Sequence, residues 1–476
     1  MKVIVIGSGL TGLSAAWKLS KAGCDTEVIE MASRVGGMAA SFKRNGYIFD
    51  YGTHGLHASM PANEEIVKEI KELLGDNLFP VQKKVGIWFL GKRFDYPLAP
   101  KDMLFNLNPI MAGIALLDFL QISFKKALGL CGKEDDYQHW VIHRFGKRLY
   151  QMYFGPYAEK LTGVHPSLLS ASFAAQRISF TNLWEVLKRA FVKKLQRVRA
   201  DEHPLSPYRN FFYSSHQGAG AISERLARHI IEQGGRITLN SRAVGVQIVG
   251  KKVRSVIIEQ AGTKRELKCD CVLSTIPIKT LIHILFPKPP AAVITAADSL
   301  RYRALVLLYL LLNKERVSEY QWVYFSDAEF VFNRFSEFKN LSEKVAPSGK
   351  TSLCVEITCF LGDRIWNAEN SEIYERSISA METAGIVKKE EVEDYFVKRL
   401  PAAYPLWELG YEKHLSKVLD YLNGLENLYT GGRQGGFQYF TMDQSIAEGE
   451  KIAQKILTKH NTSRKIIEPT TVASKE

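Results

Sequence analysis

The chain has 476 residues, 46% of them hydrophobic and 24% charged, with a formal net charge of +13. That length exceeds what a single hydrophobic core organises, and that balance is the ordinary one of a globular enzyme rather than of a disordered or membrane-spanning chain. The positive charge predicts attraction to something anionic, either a membrane face or a phosphorylated substrate; the lack of zinc-finger spacing, an RNA-recognition signature or a basic-aromatic repeat argues against nucleic acid. Taken in chain order, Val3 to Ile6 reads as a strand, Leu10 to Ala22 as a helix and Thr26 to Ile29 as a second strand, which together make one βαβ unit. A strand this near the start leaves no room for a basic, apolar leader, so a cytosolic location is expected.

The same α/β layer is expected to return with a helix over Ala221 to Gln233 and strands at Arg236 to Leu239, Val244 to Val249, Val253 to Glu259 and Cys271 to Ser274, and again over Leu428 to Ile456. The predicted organisation is a discontinuous dinucleotide-binding domain of the Rossmann type (1–80, 215–290 and 405–460), an inserted α+β substrate domain with a helical insert (81–214 and 291–404), and a disordered polar tail (461–476). Residues 103–131 carry an apolar run broken by Asp118 and flanked by Lys125 and Lys126. It is shorter than the roughly 20 residues of a bilayer span and reads as a buried core helix, with a substrate-channel helix, or one that touches the inner membrane face peripherally, as the alternative. The basic amphipathic run Leu183 to Arg199 reads as a solvated face, with contact to an anionic membrane as the alternative. Cys24, Cys131, Cys269, Cys271, Cys354 and Cys359 fit neither a redox pair nor a metal knuckle and are expected to be free thiols.

The chemistry concentrates at the start. Gly7-Ser-Gly9-Leu-Thr-Gly12 follows the first strand and opens the first helix, and Glu30 ends the second strand. Gly7 permits the tight turn, Gly9 lets backbone amides approach a pyrophosphate, and Gly12 lets the helix lie close to the sheet. The helix N-terminus then faces the diphosphate while the Glu30 carboxylate accepts ribose hydroxyls and repels a 2′-phosphate. Directly after it, Ser33-Arg34-Val35-Gly36-Gly37-Met38 supplies a second glycine turn and a fixed cation, which points to FAD rather than NAD. No Gly-x-Ser-x-Gly elbow, His-Glu-x-x-His or Gly-x-x-x-x-Gly-Lys loop competes, and no metal site is expected.

These blocks resemble the flavoprotein superfamily of amine oxidases, protoporphyrinogen oxidases, phytoene desaturases and UDP-galactopyranose mutases. Asp50-Tyr-Gly-Thr-His54-Gly-Leu-His57 is similar to the mutases' segment beside the flavin ring. Phe145 to Tyr150, on through Tyr157 to Gln176-Arg177, is similar to their helical insert, and Asn333-Arg334-Phe-Ser-Glu337-Phe-Lys339 to one of their strands. The block Gly431 to Gln444, with Tyr404-Pro405 before it, resembles the mutases more than the other branches. The chain departs from the bacterial pattern at Thr162, where those enzymes carry Trp, and at Thr181, where they carry a second Arg.

The resemblance implies an enzyme that interconverts pyranose and furanose forms of a nucleotide-linked sugar, with reduced FAD acting through N5 and no net oxidation. It assigns Arg177 and Arg334 to the substrate diphosphate, Tyr404 and Tyr439 to phosphate contacts, and His54 to the flavin edge. It also implies cofactor contacts from Leu10, Thr11, Met38, Val244, Gly432, Arg433, Met442 and Asp443. An external reductant would keep the flavin reduced. Arg334 could instead pair with Glu337 or Glu356. The alternative function is an FAD-dependent oxidoreductase of the amine oxidase, protoporphyrinogen oxidase or desaturase type acting on a lipophilic substrate.

Overall fold

In the strand Lys2–Ile6 every residue after the first is buried, as expected of a strand covered on both faces of a parallel sheet. A computed structural model of the chain describes residues 1–58, 61–96, 109–178, 210–214 and 216–467. Lys2–Ile6 sits at the centre of a five-stranded sheet, in the order Leu428–Thr430, Cys271–Ser274, Lys2–Ile6, Asp25–Ile29, Arg236–Thr238. All four neighbouring pairs are parallel, so the carboxyl ends of the strands gather along one edge. In open α/β sheets that edge is where ligands bind.

The helix Leu10–Lys21 covers one face of this sheet and in turn receives the long C-terminal helix Met442–Ile467. Ser14 Oγ donates to the Ile446 carbonyl at 3.1 Å, and Thr11 Oγ1 to that of Ser445 at 2.8 Å. A Cβ on Gly449 would sit 2.0 Å from Ser14 Oγ, so only glycine allows this approach. The C-terminal helix runs through Ile467, past His460, where a disordered tail was expected to begin; 468–476 lie outside the described residues.

A four-stranded sheet follows in the order Thr263–Lys268, Lys252–Gln260, Ser241–Val249, Leu285–Phe286. Its edge strand Thr263–Lys268 did not read as a strand in sequence because only Leu267 is buried. The inserted segments build a seven-stranded mixed sheet around Tyr302–Leu312, a strand buried from Arg303 to Leu312. Beyond it come Thr351–Cys359, Arg334–Glu337, Trp322–Phe325, Val85–Phe89 and Lys92–Asp95, with Val392–Pro405 on the other side.

The helical insert contains Pro109–Ala127, Tyr137–Phe145, Gly155–Thr162 and Ala171–Arg177. Asp118 interrupts the apolar run because its carboxylate accepts from the Arg148 backbone N–H at 2.6 Å. Pro109–Ala127 is not the buried core helix expected: Ala115 and Phe119 are buried, but Ile110, Ile114, Leu117, Leu120 and Phe124 are exposed. The basic run Leu183 to Arg199 lies outside the described residues. No described helix is long and apolar enough to cross a membrane, and all six cysteines are free thiols.

Candidate active site

A cavity of about 1660 Å³ opens at the carboxyl edge of the parallel sheet and extends to the face of the seven-stranded sheet. Its first half is the cradle anticipated from the glycines. Gly7, Gly9, Leu10, Thr11, Glu30, Arg34, Gly36, Gly37, Met38, Gly432, Arg433 and Met442 all line it. Gly7 holds φ of +102°, and a Cβ on Gly12 would stand 2.1 Å from the Gly7 carbonyl oxygen, so Gly12 acts by close packing rather than by lining the cavity. A Cβ on Gly9, by contrast, would meet no protein atom within 4 Å. The Gly36 N–H donates to the Ser8 carbonyl at 2.8 Å and ties the two glycine turns together.

Glu30 is buried and already ordered: Ser8 N and Ser8 Oγ donate to one oxygen at 2.9 and 2.7 Å, and the Ala32 N–H to the other at 2.8 Å. It is the only described carboxylate on the cavity wall. Val244 does not line the cavity, although Ala243 does. The pairing with the next strand skips Val244 between Ala243 and Gly245, a bulge that frees its backbone from that ladder. Asp443 also departs from the expectation. It is fully buried, bonded to Asn63 at 2.8 Å and Thr441 at 2.5 Å, and absent from the wall, so it orders the first turn of the C-terminal helix.

The second half of the cavity brings together His54, Arg177, Arg334, Tyr404 and Tyr439, which are far apart in sequence. The Tyr404 and Tyr439 rings stack at 6.1 Å. The Arg177 guanidinium lies 5.7 Å from the first ring and 5.1 Å from the second, and Arg433 lies 4.8 and 5.9 Å from the same two. Neither arginine has a carboxylate partner among the described residues, and Arg433 Nε is buried with no acceptor. Burial holds the Arg433 guanidinium below its ordinary value and pushes the Tyr439 phenol up to about 12, so at neutral pH a cation faces a protonated phenol.

Arg334 is different, and the pairing alternative holds for it. Its Nε and Nη2 donate to the two oxygens of buried Glu356 at 2.9 and 2.6 Å, a two-pronged pair across adjacent strands. Within the same strand block Glu337 accepts from the Val317 and Ser318 N–H groups and Lys339 pairs with Glu315, so only Arg334 reaches the cavity. His54 donates from Nδ1 to the Gly52 carbonyl at 3.1 Å, and burial, with Arg433 and Arg334 nearby, lowers its pKa to about 4. His54 is therefore neutral at physiological pH, with Nε2 as an acceptor.

Thr162 is buried, donates to the Ala158 carbonyl at 2.7 Å and does not line the cavity; Thr181 lies outside the described residues. Sequence reasoning missed Lys83, Phe211, Trp322 and Tyr324, all on the wall. The available signal was the alternation of Trp322 and Tyr324 on one strand, with Val323 and Phe325 buried on the opposite face.

The residues present fit FAD: two joined glycine turns, a helix N-terminus, one ordered carboxylate at the ribose distance in sequence, and a buried guanidinium whose Nε lacks an acceptor. The sequence model of the family described as flavin containing amine oxidoreductase matches residues 10–457. Protoporphyrinogen oxidase 2 of Arabidopsis thaliana is 27% identical over 191 residues, 39% of this chain and 36% of that protein. The match thus spans about a third of that relative's length. Coproporphyrinogen III oxidase of Staphylococcus aureus is 22% identical over 96% of this chain and 98% of its own. Among solved structures, that of reduced UDP-galactopyranose mutase superposes with a TM-score of 0.81 at 20% identity, covering 97% of this chain and 98% of the other.

Proposed function

Given that this chain belongs to the flavin-containing amine oxidoreductase family and that its cofactor is FAD, we propose that it is a nucleotide-sugar mutase, exchanging pyranose and furanose forms through reduced flavin. The observation that carries this reading is Arg177, a cation without a carboxylate partner among the described residues, set against the stacked Tyr404 and Tyr439 rings on the cavity wall that Arg334 also lines. A diphosphate leaving group needs fixed, permanently charged donors, and guanidinium groups braced on aromatic faces supply them with little loss of side-chain freedom. Protonated Tyr439 adds a neutral donor, which loads no further charge onto the site. Reduced flavin supplies a nucleophile at the anomeric carbon. Neutral His54 offers Nε2 to accept a hydrogen bond at the edge of the cavity without repelling Arg433.

The Arg334–Glu356 pair sets the charge differently from the sequence expectation. With its fork occupied, Arg334 positions Glu356 and keeps only its remaining nitrogen for a ligand. Two observations favour a second reading, an oxidoreductase on a lipophilic substrate: full-length similarity to a coproporphyrinogen III oxidase and the exposed apolar stripe on Pro109–Ala127. The test separates the two by redox stoichiometry. Protein reduced with dithionite under argon is given UDP-linked hexoses, and the products are resolved chromatographically. A mutase converts them only when reduced and forms no peroxide. An oxidase instead works when the oxidised protein is assayed in air, where dioxygen takes the two electrons and peroxide forms mole for mole with product, which would reject the mutase reading.

A further inference from the structure

The cavity continues past Arg334 into a wall that nothing above uses. On the strand Trp322–Phe325 the side chains of Trp322 and Tyr324 share one face, and Tyr324 is the register partner of Arg334. Phe211 lies 6.0 Å from the Trp322 ring, and Tyr96 lies 6.0 Å from Tyr324. Into this aromatic recess reaches Lys83, its Nζ 5.8 Å from the ring centres of both Trp322 and Tyr96. The neighbouring Lys84 is paired with Glu319, whereas Lys83 has no carboxylate partner among the described residues. Its charge is felt by His57, whose pKa is lowered first by burial. Trp322 Nε1 is shielded from solvent and has no acceptor among the described residues.

A half-buried ammonium and an unsatisfied indole N–H in one recess are costly unless an acceptor arrives. We propose that Lys83 and Trp322 form an anion subsite that reads a carboxylate on the sugar, so that the substrate class is a nucleotide-linked uronic acid. The inference rests on the mutase reading and specifies it. The ammonium and the indole N–H are both donors, as a carboxylate requires, while Arg177 serves the diphosphate. Aromatic walls thin the solvent around the ammonium and strengthen its selection of a charged over a neutral sugar.

The experiment is a calorimetric titration of the oxidised, FAD-loaded protein with UDP-glucuronic acid and with UDP-glucose, which measures binding independently of turnover. The uronic acid should bind about tenfold or more tightly than the neutral sugar. Lys83→Met should close most of that gap, Lys83→Arg should keep it, and Trp322→Phe, which retains a ring but not the N–H, should narrow it several-fold. Equal affinities, a gap that survives Lys83→Met, or no binding of either sugar would overturn the proposal. A gap that closes in Lys83→Met, found in a protein that converts neither sugar when reduced, supports the subsite and sinks the mutase reading alone.

Discussion

Two glycines of one motif carry different loads, and single substitutions separate them. A side chain at Gly9 meets open cavity, whereas one at Gly12 meets the Gly7 carbonyl oxygen at 2.1 Å. Gly9→Val should therefore give a colourless protein with an unchanged circular dichroism spectrum, because the added atoms occupy the pyrophosphate position. Gly12→Val should lower the melting temperature as well, since the first helix must lift from the sheet. Purification of yellow Gly9→Val would remove the cofactor assignment. The arginines divide in the same manner. Arg334→Ala strands Glu356, a fully buried carboxylate, and should destabilise the fold by about 3–5 kcal/mol in chemical denaturation. Arg177→Ala breaks no ion pair among the described residues and should act on nucleotide binding alone. His54 gives a pH signature. Its folded pKa of about 4 lies below the ordinary 6.5, so the unfolded chain binds the extra proton. Its contribution to stability is full above pH 6.5 and is lost as pH falls towards 4, and His54→Gln should flatten the melting-temperature profile in that window.

At the level of elements, what the sequence disclosed depended on whether the signal was local. The βαβ unit, the glycine turns and Glu30 were legible because they all fall within the first forty residues and strand and helix each have their own periodicity. Val244 was harder: it sits at a bulge off the cavity wall, and a bulge appears only once the partner strand is known. Arg334 was ambiguous for the same reason, since Glu356 faces it by cross-strand register rather than by proximity in sequence. The helix Pro109–Ala127 shows the limit most clearly. Its hydrophobicity announced burial, but hydrophobicity all round a helix does not say whether the cover is protein or lipid. In the structure Leu117 and Phe124 are each 66% exposed on a stripe that ends at Lys125 and Lys126. That combination supports peripheral binding to an anionic bilayer. Sedimentation should show the protein with vesicles containing phosphatidylglycerol and not with pure phosphatidylcholine. The double variant Leu117→Glu, Phe124→Glu should remain in the supernatant with its melting temperature within a degree or two of the parent. Equal recovery with both vesicle types would discard the membrane contact.

For the whole molecule, the cavity makes the fold's segments interdependent. Its walls come from residues near 9, 37, 243, 334, 404 and 439, so no contiguous piece of the chain contains a complete flavin site. A ligand spanning these segments stabilises their joint arrangement, by about 2.7 kcal/mol when free FAD stands at a hundred times its dissociation constant. The junction that transmits this is the contact between the first helix and the C-terminal helix. Thr11 and Ser14 bond to the carbonyls of Ser445 and Ile446, Gly449 seats against Ser14, and Thr11, Met442 and Ser445 line the cavity from the two sides of that seam. Gly449 itself does not line the cavity. Gly449→Val would push a methyl group into Ser14 Oγ and force the seam apart, moving Met442 and Ser445 away from the pyrophosphate turn. The variant should therefore purify with reduced flavin occupancy and a lower melting temperature, and saturating FAD should recover part of the lost stability, because binding draws the seam closed. Calorimetric scans with and without added FAD, alongside the 450 nm absorbance of the purified protein, test this directly. Full flavin occupancy at a lowered melting temperature would mean that the seam holds the fold without shaping the site, and the coupling argued here would fail.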